Sequence, residues 1–383
     1  MDFELTREQK AIQKAAREFA EGEFDKDVAL EHELNHKFPM DIWKKACKLG
    51  FAGAHFPEEY GGQGYGVFEN ALICEEFCRK DSGLGTAIKL ATFGSELIFR
   101  FGNDEQKRTY LPRVLSGQVL SSAAFSEPDH GSDIRQVGTT AIRDGDEFVI
   151  NGTKTFITNG SLAAFAVVVC QTDPDARPSY RGLSAIIVEA DRDGYEATEL
   201  GQKMGLKMSS TAQLTFTNVR VPVSHLVGQE NRGFYHALEF FNGTRIEIAA
   251  HSVGVAQGAF DRALDYAKRR RQFGKRLADH QAIQHKLAEM ATKIETARLI
   301  MYKAAWLFDA GRRDPKLSSM AKYYAARSAV EVCEEAIQIF GGYGYMLENE
   351  VERFYRDVRL AEIYEGTREI QKNTIASHLV GRE

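Results

Sequence analysis

The sequence predicts an α+β chain of three consecutive domains: a helical domain over residues 1–118, a small antiparallel β domain over 119–231, and a helical bundle of the four-helix type over 232–383. Apolar residues recur at helical spacing near both ends of the chain, while short β-rich runs alternate with Asp-Gly and Asn-Gly turns between them. A length of 383 residues also exceeds what one small core sustains.

The first domain opens on Thr6-Arg-Glu-Gln9, which reads as a capping box, and Leu5, Ile12, Ala16 and Phe19 follow at helical spacing. Pro57-Glu-Glu-Tyr-Gly61-Gly-Gln-Gly-Tyr-Gly66 is glycine-rich, but no strand leads into it and no acid follows at the required distance, so it reads as a turn and not a dinucleotide fingerprint. From about residue 120 the pattern changes. Turns at Asp144-Gly145, Asn151-Gly152 and Asn159-Gly160 punctuate strand-like runs, which continue as Phe165–Val169, Leu183–Val188 and Leu214–Val221. A small barrel or sandwich is expected, with an exposed loop over the Pro- and Asp-rich residues 171–179. Helical pattern returns near residue 232. Ile283, Leu287, Met290, Ile294, Ala297 and Met301 form a bundle seam that stops at Gly311 with Pro315 beyond, and a second helix runs to Phe340 and ends at Gly341-Gly342.

Composition narrows the function classes. Hydrophobic residues at 43% and charged residues at 27% describe a globular chain. The longest apolar run, Ala163 to Cys170, is too short to cross a bilayer, so no membrane insertion is expected. The start of the chain has no basic n-region and no apolar h-region, which points to a cytoplasmic protein, with a processed mitochondrial form as the alternative. Five scattered cysteines form no paired CxxC motif, giving a reducing compartment and no metal site. A net charge of −5 speaks against nucleic acid as a partner.

Chemistry is suggested first by Ala361-Glu-Ile-Tyr-Glu365-Gly-Thr-Arg-Glu-Ile-Gln371. Glu365 stands directly before Gly-Thr among Ile and Tyr residues, where desolvation raises a carboxyl pKa toward the range of a catalytic base. The plain alternative is a surface Glu near a helix start, held by the helix dipole. Two other segments add weight: Ser126-Glu-Pro-Asp-His-Gly131-Ser132-Asp133 and Gln338-Ile-Phe-Gly341-Gly342-Tyr-Gly344-Tyr. Together the three resemble the acyl-CoA dehydrogenase family over nearly the whole chain. Gly341, Gly342, Gly344, Glu348, Arg353 and Asp357 fall where the family pattern puts them, while Phe125, His130 and Gln136 stand where relatives usually carry smaller or aliphatic residues.

The resemblance implies an FAD enzyme that desaturates an acyl-CoA thioester between Cα and Cβ. Glu365 would remove the pro-R α-proton while the flavin N5 accepts the β-hydride. The thioester carbonyl would be held by a ribityl hydroxyl and the Glu365 N–H, with Gly366 permitting close approach. Ser126 and Thr158 would contact the flavin ring system and Ser132 the pyrophosphate and CoA. Phe125, Gly131, Phe156 and Ile157 would complete that cradle, and Thr367 and Glu369 would lie against the cofactor. Arg270 would bind the FAD pyrophosphate, beside Gln272 and Phe273, and His280-Gln281 would lie at the adenosine. Relatives draw this contact, with Gln338, Ile339, Gly341 and Gly342, from a neighbouring subunit, which implies a homotetramer built as a dimer of dimers. Outside that context Lys268-Arg-Arg-Arg271 is a solvated helix end.

For the substrate, the resemblance puts Asn242 and Arg245 at the CoA and Tyr364 and Gly366 at the acyl group. Lys89 falls near the far end of the acyl pocket. An inward ammonium needs an anion or a hydrogen-bond acceptor, and Glu96 or the distal carboxylate of a dicarboxylyl-CoA could supply the charge; otherwise Lys89 snorkels to solvent. The implied electron acceptor is an electron-transfer flavoprotein. The expected substrate is a short or medium acyl-CoA, linear, branched or cyclic. A dicarboxylyl-CoA (glutaryl-type) dehydrogenase and an oxygen-using oxidase are the alternatives, and the acidic balance argues against a DNA-binding flavoprotein.

Overall fold

The reciprocal cap expected at Thr6 is present: its Oγ1 accepts the Gln9 N–H at 3.1 Å, and the Gln9 side chain accepts the Thr6 N–H at 3.0 Å. This computed structural model describes residues 4–381. Seven helices form the first domain: α1 (Arg7–Glu23), α2 (Lys26–Leu34), α3 (Met40–Lys48), α4 (Val67–Lys80), α5 (Ser82–Lys89), α6 (Ser95–Phe101) and α7 (Asp104–Leu115). Ala16, Phe19 and Ala20 bury one stripe of α1, and Phe19 stacks on Phe77 of α4 with ring centroids 5.3 Å apart.

The middle domain is built on one eight-stranded sheet. Its strands are β1 (Leu120–Ala124), β2 (Thr140–Asp144), β3 (Glu147–Thr158), β4 (Ala163–Gln171), β5 (Leu183–Glu189), β6 (Tyr195–Glu199), β7 (Thr211–Pro222) and β8 (Leu226–Val227). The order is β6-β7-β3-β2-β4-β5-β8, with β1 also on β4. Two expectations are corrected. The sheet is mixed, because β1 and β2 pair with β4 in parallel; the long excursion over residues 125–139 returns the chain without a hairpin. Asn151-Gly152 is not a turn. β3 runs straight through it, and the register with β7 slips there while Gly152 adopts φ +145°, a bulge where a Cβ would lie 2.6 Å from Thr139 Oγ1. Asp144-Gly145 does turn, between β2 and β3.

The third domain holds α8 (Gly233–Arg269), the short hairpin β9 (Arg271–Gln272) and β10 (Lys275–Arg276), then α9 (Gln281–Asp309), α10 (Pro315–Phe340), α11 (Val351–Val358) and α12 (Arg368–Val380). α8, α9 and α10 pack on one another and α12 lies on α10. Met290, Ile294, Ala297 and Met301 of the seam are buried, with Ile283 and Leu287 half-buried toward its start. α8 is also the spine joining the domains. Glycine at 254 lets it press against α4, since a Cβ there would come within 2.3 Å of the Glu75 carbonyl oxygen. The largest core accordingly runs from Ala71, Cys74 and Cys78 of α4 through α8 into α9 and α10. All five cysteines are free and buried, and among the described residues no group of potential metal ligands occurs and no helix is long and apolar enough to cross a membrane.

Candidate active site

The loop before α12 is held in an unusual conformation. Glu365 has φ +55° and Gly366 φ +88°, so a carboxylate residue occupies the left-handed region that ordinarily favours glycine. Three side-chain contacts hold the turn. Gln371 Nε2 donates to the Glu365 and Gly366 carbonyls at 3.0 and 2.8 Å, and Lys322 Nζ of α10 donates to the Gly366 carbonyl at 2.7 Å. Thr367 then caps α12, its side chain accepting the Ile370 N–H at 3.3 Å, while Glu369 lies exposed on an ion pair with Arg368. Among the described residues the Glu365 N–H itself makes no hydrogen bond.

The Glu365 carboxyl points onto α8, where Thr244 Oγ1 donates to Oε2 at 2.6 Å. Desolvation pushes its pKa up to about 7. The Thr244 hydrogen bond and the nearby Arg245 and Lys322 cations pull the other way, and Glu247 adds a smaller upward push. Lys322 is fully buried, and that burial lowers its pKa to about 7 despite the anion beside it. Tyr364 is half-buried with its hydroxyl enclosed and unpartnered. Arg245 is buried, not displayed at the surface: its Nη1 reaches Ser319 Oγ at 3.4 Å, its Nε has no partner, and its Nη2 lies 3.6 Å from where a Cβ on Gly366 would sit. Asn242 stands two residues before Thr244 on α8, half-buried.

The predicted flavin cradle is carried by the loop after β1 and by the end of β3. A buried ion pair ties the two together. Lys154 of β3, with no exposed surface, donates to Glu127 Oε1 at 2.8 Å and to the Phe125 carbonyl at 3.1 Å. Glu127 also accepts the Gly138 and Thr139 N–H groups. The Ser126 carbonyl accepts the Thr155 N–H at 2.9 Å, which sets Ser126 beside Phe156. Phe156 has φ +57° and is 72% exposed, an aromatic ring held out of the sheet. Thr158 is half-buried, and Gly131 and Ser132 are exposed, Gly131 with open space where a Cβ would go. The ring of Phe125 and the side chain of Ile157 are buried, Phe125 against Phe241 at 4.9 Å.

A second set gathers elsewhere. Arg270, Gln272, Ile339, Gly341 and Gly342 line one open cleft of about 460 Å³, with Tyr343 and Phe340. The Arg270 guanidinium lies over the Tyr343 ring at 5.6 Å. The β9–β10 turn holds Phe273 94% exposed, His280 Nε2 lies 3.3 Å from the Gln272 carbonyl, Gln281 opens α9, and Gln338 is exposed. Neither Ser126, Thr158 nor Glu365 lines this cleft. A wider depression of about 730 Å³ beside Arg113 and Arg192 contains none of the predicted residues.

Lys89 points inward and finds the acceptor that burial requires, but not from Glu96. It does not snorkel and it does not meet Glu96. It is buried at the end of α5, with Nζ 2.5 Å from Asn70 Oδ1, 3.5 Å from the Phe51 carbonyl and 3.8 Å from Glu247 Oε1. Glu96 follows the φ +95° turn at Gly94 and instead faces His55 at 2.7 Å and Arg100 at 3.4 Å. Thr244, Lys322, Gln371, Glu247 and Asn70 escaped the sequence reading. Gln371 ends the Glu365 segment and Thr244 adjoins Arg245, but a side chain's partner across helices has no linear signal.

Known proteins resemble the chain over its full length. Descriptions of the acyl-CoA dehydrogenase N-terminal, middle and C-terminal domains match residues 6–118, 122–219 and 231–380. Acryloyl-CoA reductase (NADH) of Anaerotignum propionicum is 42% identical over 384 aligned residues, covering 100% of this chain and 97% of that one. A chain solved in work on the electron transferring flavoprotein of Acidaminococcus fermentans superposes with a TM-score of 0.96 at 38% identity over 100% of both chains. Butyryl-CoA dehydrogenase of Megasphaera elsdenii superposes with a TM-score of 0.94 at 35% identity, over 99% of this chain and 100% of that one. The chain belongs to the acyl-CoA dehydrogenase family, a family of FAD-dependent oxidoreductases.

Proposed function

We propose that this chain catalyses α,β-dehydrogenation of an acyl-CoA thioester with Glu365 as the base. The observation that carries the reading is a carboxyl with a pKa near 7, set beside its own unused main-chain N–H on a strained loop. Near neutral pH such a group is available as carboxylate, and it is basic enough to take a proton that an ordinary Glu would leave in place. The free Glu365 N–H is a donor for the thioester oxygen, where charge develops as the α-proton leaves. Thr244, Gln371 and Lys322 orient the carboxyl and its loop.

The residues suit FAD: an exposed ring at Phe156, open space at Gly131, Gly341 and Gly342, and an arginine fork at Arg270. FAD, when bound, supplies the two-electron acceptor for the β-hydride. Ser126, Thr158 and the main chains of Phe125 and Ile157 would hold its ring system, and Ser132 its phosphates. The cleft of Arg270 and Gly341-Gly342 excludes those residues from its lining, which supports its serving a neighbouring subunit's cofactor in a homotetramer. The exposed Phe273 and Tyr345 support a covered surface there. Likeness to the Acidaminococcus chain supports electron-transfer flavoprotein as the acceptor.

Reduction of an enoyl-CoA is the second reading, favoured by identity with an acryloyl-CoA reductase and by a base poised near half-protonation at pH 7. Anaerobic mixing decides between them: bleaching of the oxidised holoenzyme by butyryl-CoA supports dehydrogenation, and reoxidation of the reduced holoenzyme by crotonyl- or acryloyl-CoA alone supports reduction. Rapid reoxidation by air would favour an oxidase. Protein that folds without colour and that FAD cannot reconstitute would remove the whole reading.

A further inference from the structure

We infer that Lys89, Glu247 and Asn70 form a polar stop across the acyl pocket, one helical turn from the base, which restricts the enzyme to acyl groups of about three to five carbons. This rests on Glu365 being the base. Thr244 touches Glu365, and Glu247 lies three residues further on the same face of α8. From Gly243 to Ala256 every residue of α8 is buried except Glu247, whose side chain is 18% exposed. In the middle of a packed helix that exposure means the carboxylate looks into space reachable by solvent.

The other two groups stand across that space. Lys89 closes from the end of α5 and Asn70 from α4, both buried. Lys89 Nζ donates to Asn70 Oδ1 at 2.5 Å, Asn70 Nδ2 donates to Glu247 Oε1 at 3.3 Å, and Lys89 lies 3.8 Å from that same oxygen. The three groups therefore close a ring that bridges three helices. Tyr364, next to the base, has its hydroxyl pushed well above its ordinary pKa by burial, with the charges of Glu365 and Glu247 and the Cys74 and Cys78 thiols adding to the push. Tyr364 thus feels the charges of both the base and the polar stop.

The chemistry of the stop sets its selectivity. An alkyl chain driven past it must strip water from the second Glu247 oxygen and cover the unpartnered Tyr364 hydroxyl, and it offers neither a hydrogen bond. Breaking the ring to make room would leave a buried charge without its partner. A dicarboxylyl chain fares no better. The Lys89 ammonium is already matched by Glu247, and a distal carboxylate would approach Glu247 as well as Glu365. The neutral ring makes the pocket short instead of cationic.

The test is a chain-length series on holoenzyme. Calorimetric binding of propionyl-, butyryl-, hexanoyl-, octanoyl- and glutaryl-CoA would be measured on Glu365→Gln, so that binding is read without turnover. The same series would be run with Lys89→Met and Glu247→Leu added together, which removes both charges at once. Octanoyl- and glutaryl-CoA should bind at least 30-fold more weakly than butyryl-CoA with the ring intact, and the octanoyl penalty should shrink to within threefold in the charge-free variant. Equal octanoyl and butyryl affinity with the ring intact overturns the inference, as does an unchanged ratio in a charge-free variant that keeps its FAD. If that variant fails to fold, the profile with the ring intact decides alone. Normal turnover of wild type with a flat profile removes the polar stop but leaves Glu365 as base, whereas no binding of any acyl-CoA removes both.

Discussion

Replacing Glu365 by Gln tests whether the base is desolvated, separately from whether it is needed. The amide is nearly isosteric and carries no charge, so the variant should resemble the protonated wild type. In the folded chain the carboxyl titrates near 7, against an ordinary 4.5. A folded-state pKa raised above the unfolded value means the group's stability is fully present below pH 4.5 and is lost as pH rises through about 7. Ionisation of wild type should therefore cost about 1 kcal/mol at pH 5 and about 3 kcal/mol at pH 8, an upper range because the residue keeps some contact with solvent. With an unfolding entropy of about 2 cal/mol/K per residue over 383 residues, the Gln variant should melt about 1 °C higher at pH 5 and about 4 °C higher at pH 8. Thermal melts of the two holoenzymes across that range read the gap directly. A gap independent of pH, or a Gln variant less stable than wild type at pH 8, would show that Glu365 does not ionise in a desolvated site. Dehydrogenation by the same variant should fall by several orders of magnitude, since an amide cannot accept the α-proton.

In wild type, kcat/KM should rise with pH through about 7 and flatten above it, because Glu365 must be ionised to act; a rise centred near 4.5 would contradict the raised pKa. Lys322→Met removes a cation beside Glu365 and a hydrogen bond to the Gly366 carbonyl, and should move that rise up by roughly one pH unit; an unmoved profile would confine Lys322 to packing. Arg270→Ala should weaken FAD retention roughly 30-fold and lower the assembly's resistance to dilution, and flavin loss with the assembly intact at every concentration would disprove a shared site. Gly254→Ala must separate α8 from α4 and should cost about 2–3 kcal/mol in stability, checked by melting; a neutral effect would mean the helices approach less closely than 2.3 Å of Cβ clearance implies.

The architecture was legible because each domain announces its periodicity. The Thr6 cap, the 283–301 seam and the Asp144-Gly145 turn each depend on residues close in sequence, and each stands where the pattern puts it. Asn151-Gly152 carries the same local signal as Asp144-Gly145 and yet lies inside a strand. The difference is tertiary: Thr139 occupies the space beside Gly152, and β7 continues to pair on both sides of the bulge. The parallel pairing of β1 and β2 with β4 was likewise invisible, since strand direction depends on where a long loop returns.

The same division runs through the site. Glu365 is conspicuous in the sequence because a charge among apolar residues is anomalous, whereas the groups that hold it look ordinary. Thr244, Lys322 and Gln371 are a hydroxyl, a cation and an amide on two helices and the base's own segment, and none departs from what a helix normally carries. Their significance comes from convergence on one strained turn: two hydrogen bonds fix its carbonyls from Gln371, one from Lys322, and Thr244 fixes the carboxyl. Lys89 makes the point in reverse. The family resemblance offers Lys89 a place at the acyl pocket but no partner, because Glu247 lies 158 residues away along the chain and 3.8 Å away in space. With no anion of the protein beside it, Lys89 would mark a pocket for an anionic tail. With Glu247 beside it, the proposed stop would mark the end of a neutral one. A single distance between α5 and α8 thus changes the substrate expected of the site while leaving the reaction at Glu365 as it was.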